Sequence, residues 1–169
     1  MLTLHSPSRT RVSIRWMTRR DIGAVLAIEN AVSDHPWCEE DFLRELRQRN
    51  VIGMVAEDGD TIVGFMVYEL HRRKIQIAAF AACPKFWRRG VGSQMVAKLV
   101  GKLSQERRNT LSLFIRETNL AGQLFFRSLG FLATKVVRGH YDDTNEAAYA
   151  MEYCLDAVPV TKQEVSVDA

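Results

Sequence analysis

The run IQIAAFAAC (75–83) is apolar apart from Gln76, so it has no face that could sit against water. A strand of this kind belongs in the middle of a sheet, covered on both sides. Pro84 ends it, and PKFWRRGVG (84–92) follows, with two arginines and two glycines. Then Val91, Met95, Val96, Leu99, Val100 and Leu103 recur at helical spacing, which predicts a helix from Gly90 to about Arg107 in spite of Gly101. A buried strand that feeds straight into a helix through a tight turn restricts the chain to layered α and β architectures.

The remaining segments fit that restriction. VSIRWM (12–17) alternates as a strand, and Thr18 with Asp21 forms a capping-box variant that opens a helix carrying Ile22, Val25, Leu26 and Glu29. Phe42, Leu43 and Leu46 give a second short helix that ends near Asn50. VIGMVAEDGDTIVGFMVYEL is two strands joined at Asp58-Gly59, a hairpin signature. TLSLFIR (110–116) is a strand, and Asn119 to Ser128 is a helix closed by a left-handed Gly130. FLATKVV and EAAYAMEYCL form a final antiparallel pair. The order β-α-α-β-β-β-α-β-α-β-β predicts an α+β protein, with a mixed, mostly antiparallel sheet flanked by about four helices.

Composition narrows the classes. With 169 residues the chain suffices for one domain and not for two, and no apolar run approaches the ~20 residues of a membrane helix. One domain is expected over 12–155, with mobile flanks at 1–11 and 156–169. The N-terminal MLTLHSPSRTR is polar and basic, without an apolar signal core, which places the chain in the cytoplasm. Three cysteines and four histidines are scattered without ligand spacing, so no metal is expected. A net charge of +3 does not argue for nucleic acid, which usually shows as a concentrated basic face. A membrane is not expected as a partner either, and the protein would be a monomer or homodimer.

The arginine–glycine turn is the chemical signal. Gly90 and Gly92 lack Cβ, so a ligand can lie against the backbone, and the first amides of the next helix have no partner within it. The helix dipole adds roughly half a positive charge, and Lys85, Arg88 and Arg89 add more, so a diphosphate suits the place. Standing alone, the same residues also read as a glycine-tolerant turn with solvated arginines. No Lys-Ser/Thr follows as in a Walker loop, and no third glycine completes G-x-G-x-x-G.

FAACPKFWRRGVG, followed by LSLFIRETNLAGQLFFRSLGF, resembles the acyl-coenzyme-A-binding core of the GNAT N-acetyltransferases. IENAVSDHPWCEEDFLREL, EDGDTIVGFMVYEL and GHYDDTNEAAYAMEY extend the likeness to the RimI-type enzymes, which acetylate the N-terminal alanine of a ribosomal protein. The resemblance covers 12–155 and implies the GNAT fold, with acetyl-CoA as co-substrate. It implies that backbone groups of Phe80, Ala81 and Ala82 pair with the pantetheine arm. Amides of Arg88, Arg89, Gly90, Val91, Gly92 and Ser93 would hold the pyrophosphate. Asn119 would meet the arm, or serve as a plain helix cap, and Phe126 would lie near the thioester.

The chain departs from that pattern where protons move. Trp87 stands where the family has Gln or Arg, Phe114 where RimI-type enzymes carry the glutamate base, and Phe126 where they carry the tyrosine acid. Neither phenylalanine can transfer a proton. Such a group typically contributes ~10² to 10⁴-fold. An α-amine with pKa ~8 is about a tenth neutral near pH 7, against ~0.04% for a lysine amine, so a weakly basic acceptor suits the site. Tyr141 is the substitute the pattern offers as catalytic group and acceptor contact, with His140, Glu69 and His71 as weaker candidates. Glu29 and Trp37 would line the acceptor groove, although Glu29 also reads as a helix-surface charge. The implied reaction is direct acetyl transfer to an amine, most simply a protein N-terminus, with that of a ribosomal protein as the model. The alternatives are a GNAT enzyme for a small-molecule amine and a catalytically weakened acyl-CoA sensor.

Overall fold

The computed structural model describes residues 8–155; the mobility expected at 1–7 and 156–169 falls outside the described residues. The elements are β1 (Ser13–Trp16), α1 (Ile22–Val32), α2 (Glu39–Leu46), β2 (Val51–Asp58), β3 (Thr61–Leu70), β4 (Lys74–Ala82), α3 (Val91–Val100), β5 (Thr110–Arg116), α4 (Leu120–Ser128), β6 (Leu132–Tyr141) and β7 (Glu146–Cys154). They reproduce the order expected from the sequence. The seven strands form one sheet in the order β1-β2-β3-β4-β5-β7-β6, so the apolar run is the middle strand. All pairings are antiparallel except β4 with β5.

Alternation along the strands builds two cores. On one face Val55, Phe65 and Val67 pack with Val25 of α1 and Phe42 of α2. On the other, Met66, Ile75, Ile77 and Leu111 pack with Met95 and Leu99 of α3 and Phe126 of α4. Phe42, Phe65, Met95 and Leu99 are wholly buried, which leaves no room for truncation without a cavity. A bulge interrupts β4: Tyr68 faces Ile77 and Val67 faces Ala79, so Ala78 is the extra residue. As a result Ala78 and Ala79 both turn to the α1–α2 face while Phe80 returns to the other.

Two expectations change. α3 stops at Val100 rather than near Arg107. Gly101 costs a helix about 1 kcal/mol relative to alanine. The amides of Lys102 and Leu103 then make tighter bonds three residues back, to Leu99 and Val100. The stretch expected to be loose also includes Thr10, which is 7% exposed. Its N–H donates to the Arg89 carbonyl at 2.9 Å, and Gln94 Nε2 donates to its carbonyl at 2.6 Å. Among the described residues no helix is long and apolar enough to cross a membrane.

Candidate functional site

β4 and β5 run side by side only from Lys74–Thr110 to Ile77–Leu113. Beyond that point β4 stays with β3 and β5 stays with β7, so the two strands part. The wedge between them is a cleft of about 740 Å³, lined by Ala78 to Ala82, by Phe114 and by the start of α3 and of α4. Cys83 donates its N–H to Val63 on β3, so by alternation Ala81 also faces β3, while Phe80 and Ala82 turn their backbone groups to the cleft. Ala81 lines the cleft as well, with its backbone groups turned to β3. The Ala82 carbonyl accepts the indole N–H of Trp87 at 2.7 Å. The residue that departs from the family pattern therefore caps the cleft edge.

The turn at the cleft mouth is tightly shaped. Arg88 has φ 61° and Gly90 φ 82°, and a left-handed arginine persists only where its surroundings enforce it. The amides of Arg88, Gly90, Val91, Gly92 and Ser93 donate to no group among the described residues. The Arg89 amide is different: it donates to the Phe86 carbonyl at 3.3 Å, and its guanidinium lies 4.9 Å over the Phe86 ring. Arg89 therefore leaves the set of six amides expected from the sequence. A Cβ on Gly92 would stand 2.9 Å from Phe125 Cζ, so any side chain there must push the Phe125 ring aside.

Further along the cleft, Asn119 Oδ1 accepts the Gly122 N–H at 3.0 Å as the α4 cap, while Asn119 itself lines the cleft. Both functions proposed for it fit one geometry. Phe126 is 6% exposed and meets Phe80, Phe125 and Phe131 edge-on, forming an aromatic floor.

On the opposite face Phe114 is 38% exposed and stacks on His140 at 4.6 Å. His140 in turn touches Tyr141 edge-on at 4.8 Å. Arg116 lies 3.8 Å over the Tyr141 ring and bonds Asp143 and Glu146. Burial pushes the Tyr141 hydroxyl above its usual value, more than Arg116 pulls it down. Asp143 also meets His35 Nδ1 at 2.9 Å, so the α1–α2 loop touches the β6–β7 turn. Partial burial raises the Asp143 carboxyl, but Arg116 and His35 outweigh it and hold it below the ordinary range.

Glu29 is not a surface charge. It is 8% exposed, and its Oε1 accepts the Trp37 N–H at 3.2 Å. Burial raises its pKa, and the Trp37 bond offsets part of the rise. Glu29, Trp37 and Tyr141 stand beside the cleft rather than on its lining, to which α1 contributes Val32. Glu69 and His71 pair with each other at 2.8 Å near the far end of the sheet. The sequence reading missed the Arg116–Asp143–His35 network, because single charges on separate loops carry no spacing signal. It also missed Phe125, although that residue adjoins Phe126. Among the described residues no three His, Cys, Asp or Glu side chains are grouped to hold a metal.

A cleft of this shape can hold an elongated ligand whose diphosphate sits on the α3 amides and whose reactive end reaches Phe114. Residues 17–131 match the model of the acetyltransferase (GNAT) family. The chain is similar to the [ribosomal protein bS18]-alanine N-acetyltransferase of Salmonella typhimurium, with 26% identity over 129 residues, 76% of this chain and 86% of the relative. Its fold is similar to that of the Escherichia coli ribosomal-protein-S18-alanine N-acetyltransferase, at TM-score 0.75 and 22% identity over 89% of this chain and 98% of that one. It is similar also to Arabidopsis thaliana NAA60 in complex with acetyl-CoA, at TM-score 0.73 and 13% identity over 85% of this chain and 99% of that one.

Proposed function

The chain belongs to the GNAT acetyltransferase family, and on that premise we propose that its cleft presents acetyl-CoA to the α-amine of a protein N-terminus, with alanine first. The observation that carries this reading is the row of five amides, without partners among the described residues, beside the open edge of β4. These donors fit a diphosphate, since N–H groups at a helix start favour an anion through both hydrogen bonding and dipole. Acetyl-CoA supplies the activated acyl thioester.

The chain's own residues do the rest. Arg88, Gly90, Val91, Gly92 and Ser93 would hold the diphosphate, and Phe80 would offer strand-edge backbone groups to the pantetheine amides. Phe80, Phe125 and Phe126 would exclude water beneath the thioester. The Asn119 amide nitrogen, left over by the cap, would steady the arm. Among the titratable side chains, His140 packs directly against the ring that replaces the family's glutamate, and it would receive the proton of the attacking amine. Tyr141, kept protonated by burial, would donate rather than accept. The relatives named for ribosomal-protein alanine support the acceptor, as does the absence of a carboxylate base at Phe114, which favours an amine already partly neutral.

Mass spectrometry on peptides that begin with alanine is expected to show acetyl-CoA-dependent addition of one acetyl group at the N-terminus. Polyamines and small amines serve as the comparison panel, and activity confined to them would overturn the acceptor. Phe114 and Phe126 together favour one second reading, a domain that binds acyl-CoA without turnover. Tight binding by calorimetry with no product on any amine would select it.

A further inference from the structure

The cleft lies where β4 ends. β4 begins at the other end of the sheet, eight residues earlier, about 25 Å away at ~3.3 Å per residue. Three loops distant in sequence meet there: RQRN (47–50), HRR (71–73) and GKLSQERRN (101–109). Backbone and side-chain bonds tie them together. The Leu70 N–H donates to the Asn50 carbonyl at 2.7 Å, the Asn109 N–H to the Arg73 carbonyl at 3.2 Å, and Arg108 Nε to the His71 carbonyl at 2.5 Å.

The first loop brings Arg47 and Arg49, the second Arg72 and Arg73 followed by Lys74, and the third Lys102, Arg107 and Arg108. These are eight of the chain's 23 lysines and arginines. Among the described residues none of the eight forms an ion pair. Of the nearby carboxylates, Glu69 is bonded to His71, Glu45 accepts from Gln48 of the first loop, Glu152 stands on β7 opposite Ser112, and Glu106 lies on the third loop. Subtracting the eight cations and these four acids from the chain's 23 basic and 20 acidic residues still leaves the remainder net negative. The net charge of +3 thus conceals a strongly basic end, and the sequence expectation of no nucleic acid rested on that average.

We propose that this end of the sheet docks on the phosphate backbone of RNA and leaves the cleft, at the far end, open to its acceptor. Six of the eight cations are arginines, whose planar forks match phosphate oxygens in pairs. The large exposed apolar side chains, such as Trp16, Trp87, Leu120 and Leu132, lie outside these loops. The three loops themselves therefore carry no apolar insertion of the kind that holds a peripheral protein in a bilayer and no aromatic anchor of a protein interface; Trp16, an exposed ring nearby, sits with Leu46, Val51 and Ile52 beside the first loop. Without stacking rings of their own, the loops read the backbone and not the sequence. The choice of RNA rests on the proposed acceptor, because the N-terminus of a ribosomal protein lies among RNA.

The test is fluorescence anisotropy of the full chain with a labelled RNA duplex of about 16 bp, titrated between about 50 and 300 mM KCl. Binding is expected, with a logarithmic salt slope of about −3 or steeper. The pair Arg72→Glu with Arg73→Glu, and separately Arg47→Glu with Arg49→Glu, should each weaken it at least about tenfold. Saturating CoA should leave RNA affinity unchanged, and acetylation of a short free peptide should be unaffected in both variants. A failure of docking is thereby separate from a failure of the acceptor reading. No binding at low salt, undiminished binding by both variants, displacement by CoA, or tighter binding to DNA, to polyglutamate or to phosphatidylserine vesicles would each overturn the proposal.

Discussion

The two sides of the cleft keep the family pattern to very different degrees. On the β4–α3 side the proposed ligand contacts are N–H groups and a strand edge, and these are in place although Trp87 stands where the resemblance expects another residue. The proposed proton transfer depends on side chains instead, and there the resemblance finds Phe114 on β5 and Phe126 on α4 where it expects a glutamate and a tyrosine. Recognition built from the backbone tolerates substitution as long as the turn keeps its shape. Catalysis built from side chains does not, and in the proposed reading it is reassembled from neighbours such as His140.

The largest test of that contrast is Ser93→Asp. A carboxylate in the first turn of α3, beside the five amides that have no partner among the described residues, would repel a diphosphate while favouring the helix dipole, so CoA affinity by calorimetry should fall at least about a hundredfold while the fold survives. An unchanged affinity would remove the backbone cradle from the account. On the other side, Phe114→Glu places a base where the family has one and should raise kcat by roughly ten- to a hundredfold. A rate that stays flat would mean that His140 already does this work or that proton removal is not limiting. Trp87→Phe frees the Ala82 carbonyl while keeping an aromatic ring, and KM for acetyl-CoA should shift by only a few-fold.

The smallest expected effect concerns Glu29. Its folded-state pKa is raised by burial, so the folded protein holds that proton more readily than the unfolded chain. Stability therefore declines as pH rises above the ordinary carboxyl value, and Glu29→Gln escapes the decline. The melting temperature of the variant, relative to the parent, should be higher at pH 8 than at pH 4. A difference independent of pH would show that the carboxyl carries no such burden.

Local signals account for what was legible in the sequence. The apolar 75–83 run is the middle strand, and Asp58-Gly59 is the hairpin turn, with Gly59 at φ 59°. Each of these is dictated by residues within a few positions of one another. Where the reading went astray, distant groups decide the outcome. Whether the Arg89 amide is free depends on the Phe86 carbonyl, and whether Glu29 is wet depends on the loop that brings Trp37 over it. The α3 stripe continues past Gly101 in sequence, yet the chain turns so that Arg108 can reach His71. The His35–Asp143 contact joins residues more than a hundred positions apart, and no periodicity announces such a pair.

The central claim is that five amides, of Arg88, Gly90, Val91, Gly92 and Ser93, grip the diphosphate. Amide chemical shifts of the labelled protein, followed while CoA is added, address it directly. The account predicts that these five resonances move together and saturate with one ligand per chain, with Phe80 following and Arg89 moving less. If CoA binds and the five stay in place while another surface responds, the claim is wrong.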